Sequence, residues 1–72
     1  MSSDKFKELA EKRTNNAIKQ IKLIGNLANP SNYDYSDAQV KKIISALNDE
    51  IAATSRKFEL ATSGRVAEKF SL

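Results

Sequence analysis

Asn29-Pro30-Ser31-Asn32-Tyr33-Asp34-Tyr35-Ser36 separates two stretches of helical apolar periodicity, Phe6 to Ala28 and Ala38 to Ala61. Proline disfavours the α conformation in the residue before it, so a helix arriving at Asn29-Pro30 stops near Ala28. On the far side, Ser36-Asp37-Ala38-Gln39 has the composition of a capping box. The Ser36 hydroxyl would accept from the Gln39 backbone N–H while the Gln39 side chain reaches back, starting a second helix at Asp37.

Read backwards from the break, Phe6, Leu9, Ala10, Ala17, Ile21, Ile24, Leu27 and Ala28 fall on one face at 100° per residue, the spacing of a buried stripe. Arg13 lies near the centre of that stripe and Gln20 at its edge. Ser2, Ser3 and Asp4 are N-cap residues, and Asp4, Glu8 and Glu11 set negative charge near the positive end of the helix dipole. Gly25 sits inside the pattern at a cost of about 1 kcal/mol against alanine.

Read forwards, Val40, Ile43, Ile44, Leu47, Ile51, Thr54, Phe58 and Ala61 recur at three- and four-residue steps, close to a coiled-coil seam. Folding the chain back at the loop sets Ile24 opposite Val40, Ile21 opposite Ile43 and Ile44, Ala17 opposite Leu47, and Phe6 with Leu9 opposite Phe58. The expected fold is therefore an all-α antiparallel two-helix hairpin, over about residues 4–28 and 37–62. Thr62-Ser63-Gly64 reads as a C-cap. Residues 62–72 form a tail, either frayed or a short third helix with Val66 and Phe70 on one side. Phe70 and Leu72 are expected to cover the open face of the hairpin, the alternative being a peptide offered to a partner groove.

Seventy-two residues make one domain, 1–72, and a chain this short buries little of its apolar surface without a supplement. With no cysteine and no histidine, disulfides are excluded and the preferred zinc ligands are missing. A protein partner or a homodimer is left as the supplement. There is no apolar stretch able to span a bilayer and no leader-like segment, so the expected setting is cytoplasmic, without membrane contact. A formal charge of +3 and a pI near 9.3 are mildly basic and imply no partner by themselves.

The chemistry-bearing patterns are sparse. There is no Gly-rich phosphate loop, metalloprotease motif or nucleophile elbow, and the expected protein is not an enzyme and carries no cofactor. Asp34 and Asp37 flank the second helix start, where capping and dipole effects account for them; EF-hand spacing is lacking, and no metal is expected.

Three groups of residues are candidates for contact. Lys5, Lys12 and Lys19 recur every seven residues as a basic stripe on the first helix, with Lys7 and Lys22 elsewhere on its polar side; such a stripe can track phosphates. Glu8 and Glu11 interrupt that face and no aromatic residue interleaves for base stacking, so a solvated face competes with nucleic-acid binding. Arg13, level with Glu50 and Ile51 in the expected hairpin, either snorkels to pair with Glu50 or anchors an interface. Tyr33 is the better candidate for an exposed loop contact. Tyr35 has the same potential, but as the residue before the Ser36 cap it can instead pack on Val40 and the first helix end.

The stretch Ala17 to Asn29, then Ser31 to Asp37, then the Ile43 to Ile51 seam, resembles short helical proteins encoded by bacterial plasmids, phages and other mobile elements. The resemblance spans roughly Arg13 to Phe58 and carries over no catalytic or ligand residue. It implies an accessory protein that binds a host or competitor macromolecule. The function expected is a protein-binding module that regulates or inhibits a larger macromolecule, with a small nucleic-acid-binding protein as the alternative.

Overall fold

The computed structural model describes the backbone of residues 3–70 and the side chains of residues 4–62. The chain is all-α, with two helices in the order expected of a helical hairpin: α1, Ser3–Gly25, and α2, Asp37–Phe70. The chain divides between Asp34 and Tyr35 into two compact units.

In the first unit, α1 starts where the cap residues place it and carries Asp4 in its first turn, a favourable position for negative charge. Lys5 Nζ lies 4.0 Å from Glu8 Oε1 one turn on. Both side chains are about 70% exposed, so the pair contributes only a few tenths of a kcal/mol. The Ser2 cap expected from the sequence lies outside the described residues.

The end of α1 corrects the sequence expectation by three residues. The helix stops at Gly25, not Ala28, and the hydrogen bonds show how. Asn26 N–H is shared between the Lys22 carbonyl at 3.1 Å and the Leu23 carbonyl at 3.2 Å, after which Leu27 donates to Ile24 and Ala28 to Gly25, each at 3.0 Å. The ladder has tightened from four-residue to three-residue steps, a common way of satisfying the last carbonyls of a helix. Gly25 itself has no left-handed φ, so it is not a glycine C-cap.

Asn29 then organises the turn. Its backbone carbonyl accepts from Asn32 and Tyr33, each at 3.0 Å, and its side-chain Oδ1 accepts from Ser31 N–H at 3.2 Å. This Asx turn straddles Pro30, which has no N–H of its own to satisfy. The sequence marks Asn29 only as a stop; in the structure it is the acceptor around which residues 29–33 turn.

In the second unit the capping box forms as expected. Gln39 N–H donates to Ser36 Oγ at 3.1 Å, Ser36 N–H donates to Gln39 Oε1 at 2.9 Å, and Val40 N–H reaches the Ser36 carbonyl at 3.1 Å. Two otherwise orphaned donors are thus paired reciprocally. Thr54 Oγ1 donates to the Glu50 carbonyl at 2.9 Å, so its hydroxyl is satisfied within its own helix.

The far end of α2 is a second correction. The helix does not stop at Thr62-Ser63-Gly64 but continues to Phe70, making the tail part of α2 and not a separate third element. A single glycine in a helix interior costs about 1 kcal/mol, and Gly64 does not end α2. The expected covering role of Phe70 and Leu72 lies outside the described residues.

Candidate functional site

The surface chemistry of both units follows from one property: among the described residues no side chain is buried. On α1, only Leu9, Ala10 and Ile24 of the apolar stripe reach intermediate burial, while Phe6 and Ile21, and Leu27 just beyond the helix end, stay exposed. On α2, Leu47 and Ala53 are intermediate; Val40, Ile43, Ile44, Ile51 and Phe58 are exposed. Scattered apolar residues on a surface are ordinary, but apolar residues aligned along one helix face make a continuous patch of the kind that marks an interaction site.

Arg13 is exposed on α1, between Leu9 and Ala10 on one side and Ala17 on the other, each one turn away along the stripe. A guanidinium so placed can keep its charge in water while its stem covers apolar surface, or can supply the bidentate donor of an interface. Tyr33, in the first unit, is 49% exposed at the end of the Asn29 turn, with its backbone N–H held by the Asn29 carbonyl. That bond fixes the backbone beneath an amphipathic ring, which lowers the entropy lost when the ring is covered. Tyr35 is exposed in the second unit, directly before the capping serine.

Lys5, Lys12 and Lys19 are all exposed on α1. Residues seven apart drift by about 20° per step around a helix and rise about 10 Å, so the three ammonium groups form a shallow diagonal. Lys5 is tied to Glu8, which lowers the net positive field at that end of the stripe. Leu23, exposed on α1, lies one turn beyond Lys19 on the same flank, so this flank is basic at one end and apolar at the other.

Three further apolar residues join the surface that the stripes did not include: Ile18 and Leu23 on α1 and Leu60 on α2, the last 65% exposed. Leu60 follows Ala46 and Ala53 at seven-residue steps, a minor apolar line beside the main seam. That spacing was available in the sequence as the signal for it.

Among the described residues no three acidic side chains gather in a way that could hold a metal ion, and no helix is long and apolar enough to cross a membrane. Comparison of the chain with protein-family models, with curated proteins and with solved structures returned no match.

Proposed function

We propose that this protein is a non-enzymatic protein-binding module, an accessory factor of a bacterial phage or mobile element that regulates or inhibits a larger macromolecule of its host. The observation that carries the reading is the exposure of aligned large apolar side chains on a chain of 72 residues. Covering such faces supplies the driving force for binding, since removing apolar surface from water is favourable. Arg13 and Tyr33 are the proposed anchors on the first unit, because arginine and tyrosine combine large contact area with directed polar groups. Tyr35 extends the contact on the second unit.

The test is capture of a partner from a bacterial lysate on the immobilised chain, with and without nuclease, followed by titration of the purified partner. A protein retained after nuclease that binds stoichiometrically, and whose affinity falls by at least tenfold with Arg13→Ala or Tyr33→Ala, is the expected result. Loss of all retained material on nuclease treatment would move the function to the Lys5, Lys12, Lys19 stripe. In that case affinity should fall steeply with salt as counterions are released.

A further inference from the structure

The exposed seam of α2 has a stricter pattern than amphipathicity requires. Ile44, Leu47, Ile51, Thr54, Phe58 and Ala61 follow one another at alternating steps of three and four residues, the repeat of a coiled coil. Ile44, Ile51 and Phe58 occupy its a positions; Leu47, Thr54 and Ala61 occupy its d positions. Ile51 and Phe58 are each 59% exposed.

Glu50 and Lys57 both fall at the g position, on the same border of this seam. Neither has a charged residue three or four positions away on its own helix, so neither has the usual intrahelical partner. We infer that α2 pairs antiparallel with α2 of a second copy of this chain, in the register that sets Ile51 against the second copy's Thr54. The same register sets Ile44 against Ala61 and Leu47 against Phe58. Each is repeated across the two-fold axis, as an isologous interface requires.

Charge decides the direction. In an antiparallel pair, g faces g, so Glu50 meets the second copy's Lys57 and Lys57 meets its Glu50, two complementary contacts from one chain's own sequence. In a parallel pair, g faces the following e position, which brings Glu50 to Ser55 and Lys57 to Thr62, with no charge pair at all. Size agrees, because the antiparallel layers set Ile44 on small Ala61 and Ile51 on Thr54, where the parallel layers stack Phe58 on Phe58. Thr54 brings no unpaired hydroxyl into the seam, since it already donates to the Glu50 carbonyl. This self-pairing uses the α2 seam and does not depend on the foreign partner proposed above.

Sedimentation equilibrium of the full chain, over about a hundredfold range of concentration, tests the inference. Wild type should titrate from monomer to dimer, and Glu50→Lys or Lys57→Glu alone should weaken the dimer by about tenfold, each turning two attractive contacts into repulsive ones. An equimolar mixture of the two variants should recover wild-type affinity. One chain then carries two cations at these positions and the other two anions, so the mixed pair alone is complementary. A monomer at every concentration would overturn the inference. So would a dimer indifferent to both substitutions, or a mixture no tighter than either variant.

Discussion

Ser36 is the residue with the best-defined local role. It accepts from Gln39 N–H and has its own N–H satisfied in return, so Ser36→Ala should cost about 1 kcal/mol, read as a loss of helicity by circular dichroism and a fall in melting temperature. Gly25 makes the opposite case. It is helical, lacks a left-handed φ, and a Cβ built on it would meet nothing within 4 Å. Gly25→Ala should therefore stabilise α1 by up to about 1 kcal/mol through the lost freedom of the unfolded chain; a destabilised variant would show that a partner's backbone needs the space. Arg13 is exposed within an apolar stripe, and if it is an interface group Arg13→Met should leave stability near wild type while weakening partner binding. Marked unfolding by that substitution would assign it a structural pairing instead.

At the scale of elements, the two helices differ in what ends them. α1 ends at Gly25 as its hydrogen bonds tighten to three-residue steps and gives way to the turn built on Asn29, so Asn29→Ala, which removes the Ser31 bond, should loosen the turn without shortening α2. Amide exchange would read this as faster exchange at residues 31–33 and unchanged protection in 40–61. α2 has no such stop and runs through Gly64 to Phe70. The basic flank of α1 gives a further element-level expectation: Lys12→Glu and Lys19→Glu should leave capture of a protein partner unchanged, since their ammonium groups lie off the apolar stripe. A loss of capture would make that flank the working surface.

At the scale of the whole molecule, small size and exposure act together. With no described side chain buried, an isolated copy has little hydrophobic stabilisation to set against about 1–2 kcal/mol of backbone entropy per ordered residue. Melting temperature should therefore rise with protein concentration, as mass action demands when association stabilises the folded state. A concentration-independent transition would mean that one copy is sufficient.

The division of the chain into two helices, the start of α2 and its capping pair were legible in the sequence because each depends on residues within one turn of each other. The periodicities that mark Phe6, Ile21 and Ile51 as apolar-face residues were legible for the same reason. The hydrogen-bond exchange that ends α1 at Gly25, the Asn29 turn and the passage of α2 through Gly64 were decided by the structure. Each turns on which carbonyl an N–H finally reaches, and several acceptors of nearly equal energy compete for it. The candidate surface was legible in the same uneven way: Arg13, Tyr33 and the lysine stripe stood out by residue type, whereas Ile18 and Leu23 emerged only when the structure left them uncovered, and for Leu60 the signal was its seven-residue spacing from Ala53. Residue type and spacing determined which faces are apolar; that no described side chain is buried came only from the structure, because exposure depends on everything around a side chain and not on its neighbours in sequence.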